Sequence, residues 1–220
     1  MLGDLWSFQG RYRTLHLTWI AFFLTFVVWF NLAPLATTVK ADLGLTVGQI
    51  RTVAICNVAL TIPARVLIGM LLDKFGPRIT YSSILVFSAI PCLLFASAQD
   101  FNQLVVARLL LSIVGAGFVI GIRMVAEWFP PKEIGLAEGI YGGWGNFGSA
   151  FSALTMVAIA GFLSFSGGFE LPTGAVLNWR GAIALTGIVS ALYGIFYFFN
   201  VTDTPPGKTY QRPAKTAGLE

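Results

Sequence analysis

Charge is scarce in this 220-residue chain: only 11% of its residues are Asp, Glu, Lys or Arg, while 56% are hydrophobic. An ordinary water-soluble domain carries about 25% charge. With a mean hydropathy of +0.76, these proportions exclude a cytosolic enzyme, a disordered tail and a secreted disulfide scaffold, and they place the chain in a bilayer. Basic residues exceed acidic ones by only 14 to 10, too little for a nucleic-acid binder. The two cysteines, Cys56 and Cys92, fall inside apolar stretches and read as small hydrophobes rather than as a disulfide or metal pair. Acidic residues are missing from the middle of every apolar run: Glu127 and Glu138 stand near the ends of theirs, and the single histidine, His16, stands near the start of the first. This argues against a carboxylate proton relay, which needs Asp, Glu or His along the path. No nucleophile with its base, metal cluster or strand-linked phosphate loop is present, so neither an enzyme nor a cofactor is expected.

What the chain does have is long apolar runs. Residues 17–39, 52–72, 79–99, 101–126, 139–165 and 181–201 each supply the roughly 20 apolar residues a transmembrane helix needs. The expected fold class is all-α, a polytopic bundle of six transmembrane helices over residues 1–202. A polar tail, 203–220, reads as a linker. The first run is too long for a typical signal-peptide core and has no small-residue cleavage site before Lys40 and Asp42, so it should remain as a helix. An even number of spans puts both termini on one side. Arg11, Arg13, Lys74, Arg78, Lys132, Lys208, Arg212 and Lys215 share that side, against Lys40, Arg51 and Arg180 opposite. The positive-inside rule makes the terminal side cytoplasmic. Asp73 to Arg78, with Gly76 and Pro77, is a tight turn between spans two and three, and Pro130 and Pro131 break the chain between spans four and five. The stretch 166–179 is the longest loop on the other side.

A helix-centre arginine costs about 2.5 to 3.5 kcal/mol on insertion scales, and Arg65 lies inside span two with no charge nearer than Asp73. Asn57, Thr61 and Arg65 recur every four residues, so they define one polar stripe that should face protein or a water-filled path. Arg65 either binds an anion, for which its planar fork is suited, or is a structural arginine that pairs with a backbone carbonyl or snorkels. Arg123 has Glu127 one turn away and is expected to pair with it, with Asp73 as a candidate third member of a gate. Arg108, near the other end of span four, is expected either to snorkel to the interface or to act within the bundle.

Spans four and five are dense in glycine, with Gly115, Gly117 and Gly121 on one and Gly135, Gly139, Gly142, Gly143, Gly145 and Gly148 on the other, and close helix packing is the expected use of most of them. Gly117 and Gly121, and Gly135, Gly139 and Gly143, have the four-residue spacing that lets helix backbones approach in lipid. Asn146 falls on the same helical face as Gly142, Gly139 and Gly135. An amide on such a bared face can bind a ligand or tie two helices together.

Two motifs carry a resemblance. Gly69-Met70-Leu71-Leu72-Asp73-Lys74-Phe75-Gly76-Pro77-Arg78 resembles the loop motif of the major facilitator superfamily, and it stands in the matching place between spans two and three. The stretch from Gly115-Ala116-Gly117-Phe118 through Trp128-Phe129-Pro130 to Gly142-Gly143-Trp144-Gly145-Asn146-Phe147-Gly148 is similar to the nitrate signature of the nitrate/nitrite porter family. The resemblance covers the amino-terminal half of a twelve-span transporter. It implies a secondary transporter of nitrate or nitrite in the plasma membrane (the inner membrane of a bacterium), with Arg65 on the anion, Asn146 lining the site and Phe118 packing on it. The implied partners are the anion, the bilayer, and either a carboxy-terminal six-helix half or a second copy of the chain. Two alternatives stay open: a non-transporting module that needs a separate half, and a transporter of another small anion such as formate.

Overall fold

The computed structural model describes residues 7–210. Arg212 and Lys215, and the rest of the tail beyond 210, lie outside the described residues. Six helical rods are long and apolar enough to cross a membrane: Gly10–Asp42, Val47–Phe75, Pro77–Ser97, Phe101–Trp128, Ile134–Ser166 and Trp179–Asn200. Each contains most of one expected run. The rods extend past several of the runs because a helix continues through charged residues such as Arg11 and Arg13 after its apolar run has ended.

The first three rods are each broken near the middle, and proline places the breaks. Span one is α1 (Gly10–Phe30), a 3-10 turn at Ala33–Leu35 and α2 (Ala36–Asp42). Span two is α3 (Val47–Ala59) followed by α4 (Thr61–Phe75), and span three is α5 (Pro77–Phe87) followed by α6 (Ala89–Ser97). A proline ring clashes with the carbonyl four residues back and removes one helical N–H. Counting four back from Pro34, Pro63 and Pro91 gives Phe30, Ala59 and Phe87, the last residues of α1, α3 and α5. Span four has α7 (Phe101–Ser112), a 3-10 stretch at Ile113–Gly117 around two glycines, and α8 (Phe118–Trp128). Span five begins with the continuous α9 (Ile134–Phe162), and span six is α10 (Trp179–Asn200).

In lipid, carbonyls loosened at such breaks need other donors, and neighbouring spans supply them. Trp29 Nε1 donates to the Asn57 carbonyl at 2.7 Å, Thr61 Oγ1 to that of Ser112 at 3.2 Å, and Ser190 Oγ to that of Leu85 at 3.3 Å. Glycine lets the spans close on one another. A Cβ on Gly145 would fall on the Phe22 ring, one on Gly148 on the Phe23 carbonyl, and one on Gly121 on the Tyr141 ring. Gly187 and Gly194 of α10 likewise receive Cys92 and Leu85. Of the glycines of spans four and five expected to serve close packing, Gly115, Gly121, Gly145 and Gly148 do so, while those of the four-residue series on span five do not. Gly121 and, less tightly, Gly117 are in contact, but Gly135, Gly139 and Gly143 have nothing within 4 Å of an added Cβ. Cys56 and Cys92 are free and buried, as expected of small hydrophobes.

The long connection 163–178 is more ordered than a glycine-rich loop would suggest, with a short antiparallel hairpin, β1 (Phe169–Glu170) and β2 (Val176–Leu177). On that same face Asp42 accepts from Trp179 Nε1 at 2.8 Å and pairs with Arg180 at 3.4 Å, tying span one to span six.

Candidate functional site

The expected polar stripe on span two is divided. Asn57 and Thr61 are buried, and they sit on opposite sides of the break at Leu60. Thr61 Oγ1 and the Leu60 N–H both bond Ser112 of span four, so this segment fastens span two to the middle of span four. Arg65 instead is exposed and has no hydrogen bond or ion pair with any described residue. The four-residue spacing assumed one continuous helix, and the Pro63 break interrupts it. Arg65 lies four residues past the midpoint of its rod, which is about 6 Å along a helix axis. That keeps it well within a hydrocarbon layer of roughly 15 Å per leaflet.

Asn146 on α9 is exposed too, its amide donating to the Gly142 carbonyl at 2.7 Å. Space beside Gly142 is open. A groove of about 480 Å³ runs along the same helix, lined by Gly135, Gly139, Gly143, Trp144 and Phe147 among others. Phe118 begins α8 and is half-buried, its ring 5.3 Å from Phe22 and 6.1 Å from Tyr141. No hydrogen bond joins Arg65, Asn146 and Phe118, and α4 and α9 share no substantial packing. Helix α8 of span four lies between them, against both. This half-bundle thus leaves an open guanidinium and an open amide on either side of a bare-backboned, aromatic-bearing segment.

A second cluster occupies the face that carries the described chain ends. Gly69 has open space around it, while Gly76 ends α4 at φ 83°, a conformation that favours glycine. A Cβ there would stand 2.8 Å from Asp203 Oδ1, which accepts the Arg78 N–H at 2.7 Å. The Arg78 guanidinium lies 4.5 Å from the Phe198 ring centre. Arg123 and Glu127 pair at 3.0 Å as expected. The expected third member is corrected, because Asp73 is exposed and forms no ion pair among the described residues. Lys208 reaches Glu127 instead, at 3.0 Å. Tyr210 donates to the Leu72 carbonyl at 3.2 Å, and Trp128 Nε1 to that of Thr202 at 3.2 Å. Residues 203–210, expected to be linker, thus lie as a strap across the ends of spans two, three and four. Burial raises the Asp203 carboxyl above the ordinary range, only partly countered by the Arg78 N–H and charge.

Arg108 corrects the snorkelling expectation. It is 2% exposed, donating to Asn31 Oδ1 at 3.0 Å and to the Trp29 carbonyl at 2.9 Å, with Phe95 below it. Asn31 in turn donates to Thr186 Oγ1 at 3.0 Å. Asn31 is the C-cap of α1, so the guanidinium sits where helix carbonyls are unsatisfied and the dipole is negative. A helix end replaces the carboxylate that a buried cation would otherwise require. Asn31 three residues before Pro34 was the available signal in the sequence for this cap.

Residues 18–219 match the family model for the Major Facilitator Superfamily. The chain belongs to that superfamily. Over its whole length this major facilitator chain is 63% identical to the nitrate/nitrite transporter NrtP of a Picosynechococcus strain, covering 44% of it. It is 61% identical to NrtP of Nostoc punctiforme, covering 43%. Over 90% of its length it is 31% identical to the probable nitrate/nitrite antiporter NarK1 of Thermus thermophilus, covering 44% of that protein. The chain therefore spans less than half the length of these relatives. In fold it resembles a bacterial homologue of the human lysosomal transporter Spinster, in its inward-facing and occupied crystal structure. The TM-score is 0.68 at 19% identity, over 90% of this chain and 46% of that one. Six apolar rods in a major facilitator fold make this a multi-pass membrane protein.

Proposed function

We propose that this chain is the amino-terminal six-helix half of a secondary transporter of nitrate or nitrite, working by alternating access and not as an enzyme. The anion is held near the bilayer midplane between this half and a carboxy-terminal half. One observation carries the reading: Arg65 presents an unpartnered guanidinium inside the membrane-spanning part of a chain 63% identical to a nitrate/nitrite transporter. A cation so placed is costly in lipid, and an anion or a second protein face that meets it offsets that cost. Arg65 grips the oxyanion through its planar fork, Asn146 offers an amide from the bared face at Gly142, and Phe118 supplies an apolar wall. Asn57 and Thr61 serve indirectly, Thr61 by holding span two on span four and Asn57 by accepting Trp29 of span one at its carbonyl. Gly69, Gly76 and Arg78, with Arg123, Glu127 and Lys208, form the cytoplasmic gate, and both chain ends lie in the cytoplasm.

Uptake of isotopically labelled nitrate into proteoliposomes tests this, with the chain alone and with the chain joined to a carboxy-terminal six-helix half. Saturable uptake is expected only with both halves. Arg65→Lys should weaken nitrate about tenfold or more, the worth of one bidentate charged contact, while the helix still inserts. Unchanged affinity would overturn the role of Arg65. Binding of the two halves without any uptake would favour a non-transporting module, and equal competition by formate would widen the substrate class.

A further inference from the structure

Tyr141 is wholly buried in α9, yet the anion reading gives it no task. Its hydroxyl donates to the Phe118 carbonyl at 3.0 Å and lies 3.2 Å from the Tyr81 hydroxyl. The direction of the second bond follows from proton count. A carbonyl can only accept, so the single Tyr141 proton is used on Phe118, and Tyr81 must be the donor to Tyr141. The result is a directed chain, Tyr81 O–H to Tyr141 O–H to Phe118 C=O, running from span three through span five to span four. The Tyr141 ring stacks on Phe118 at 6.1 Å and 17° and on Phe22 at 4.9 Å and 26°. It reaches that position only because Gly121 has no side chain.

The part of span four so held is its weakest. Phe118 directly follows the 3-10 stretch Ile113–Gly117, which has poorer hydrogen bonding than an α-helix and two glycines of high backbone freedom. Without an external hold, the start of α8 could pivot there. The same ring stack also fixes the other side of the site. Phe22 seats in the bare backbone at Gly145, next to Asn146, and Asn146 lies five residues beyond Tyr141 on one unbroken helix.

We propose that Tyr141 is a positioning residue for the anion site, acting through Phe118: its hydroxyl and ring set where Phe118 stands relative to Asn146. This rests on the nitrate reading above. A residue with only a core-filling role would affect stability, whereas a positioning residue must change affinity even where stability is restored. Tyr141→Phe removes one oxygen and keeps the ring, but it takes from the buried Tyr81 hydroxyl the oxygen that accepts its proton. The double variant Tyr81→Phe with Tyr141→Phe removes that buried donor as well.

Nitrate uptake by the assembled transporter, this chain with its carboxy-terminal half in proteoliposomes, separates the cases, with thermal midpoints measured alongside. Tyr141→Phe is expected to raise KM about fivefold, the worth of one hydrogen bond, with the maximal rate within about twofold of wild type. Tyr81→Phe should leave KM within about twofold. The double variant should regain part of the thermal midpoint lost in Tyr141→Phe while keeping the raised KM. An unchanged KM in Tyr141→Phe, equal KM shifts in the two single variants, or recovery of KM in the double variant would each overturn the proposal. Arg65→Ala is the companion arm. If it abolishes saturable uptake while Tyr141→Phe changes nothing, only the positioning role falls. If Arg65→Ala also transports normally, the anion site falls and the inference with it.

Discussion

Gly142 and Gly145, three residues apart on α9, show how differently one residue type is used in this chain. Gly145 is a socket: any Cβ there would collide with the Phe22 ring, and Phe22 is fully buried. Overpacking of this kind costs about 1–3 kcal/mol, so Gly145→Ala should lower the thermal midpoint of the half-bundle measurably. Gly142 faces open space, and Gly142→Ala should leave that midpoint unchanged. A bulky Gly142→Leu should still insert and fold, yet fail in nitrate uptake with the second half present, because its bulk stands beside the Asn146 amide. Loss of the fold with Gly142→Leu would contradict the open geometry. Arg108 makes the matching point for charge. Its donors satisfy Asn31 and the Trp29 carbonyl, and removal of a partner from a buried group costs about 1–3 kcal/mol. Arg108→Leu should therefore destabilise strongly without changing nitrate affinity in whatever fraction still folds.

At the scale of elements, the strap 203–210 gives a pH-dependent prediction. The Asp203 carboxyl is raised by burial and by the Glu127 charge, against the lowering effect of Arg78. A carboxyl whose folded pKa lies above its unfolded value favours docking most when protonated. That contribution is full below the unfolded carboxylate pKa and is lost as pH rises through the folded one. Hydrogen exchange of the strap amides, corrected for intrinsic rate, should accordingly show firmer docking in mild acid than at neutral pH. Asp203→Asn keeps an acceptor for the Arg78 N–H without the charge and should flatten that dependence, whereas Asp203→Ala should loosen the strap at every pH. The strap was not visible in the sequence because composition marks 203–210 as polar, and polarity cannot tell a free linker from a segment held by one carboxylate, one lysine and one tyrosine. Six spans were legible because apolar length alone sets them. The mid-span breaks were legible in principle, since Pro34, Pro63 and Pro91 mark them four residues downstream. Periodicity across Pro63 instead grouped Asn57 and Thr61 with Arg65, although only Arg65 remains open. Asn146 and Phe118 were reached through a motif, while Tyr141, the residue that links span five to Phe118, has no local pattern that separates it from an ordinary core aromatic.

For the molecule as a whole, the open face raises the question of what happens to this chain without a second half. The two halves of such transporters are parallel repeats about an axis along the membrane normal, so two copies inserted in the same direction can face each other as the halves do. Each would bring an unpartnered Arg65 towards the shared region. Two guanidiniums in a poorly screened setting repel, and a shared oxyanion changes the sign of that interaction. Association of the chain with itself should then be linked to its ligand: an anion that binds only the dimer at a hundred times its dissociation constant stabilises it by about 2.7 kcal/mol, roughly a hundredfold in the dimerisation constant. The measurement is the crosslinked dimer fraction in lipid with nitrate and with a non-binding anion at equal ionic strength, for wild type and Arg65→Ala. Nitrate should raise the fraction for wild type alone. In Arg65→Ala, with the repulsion gone, the fraction should start higher and not respond. A dimer fraction indifferent to both nitrate and Arg65 would reject the shared site and leave this face to the carboxy-terminal half alone.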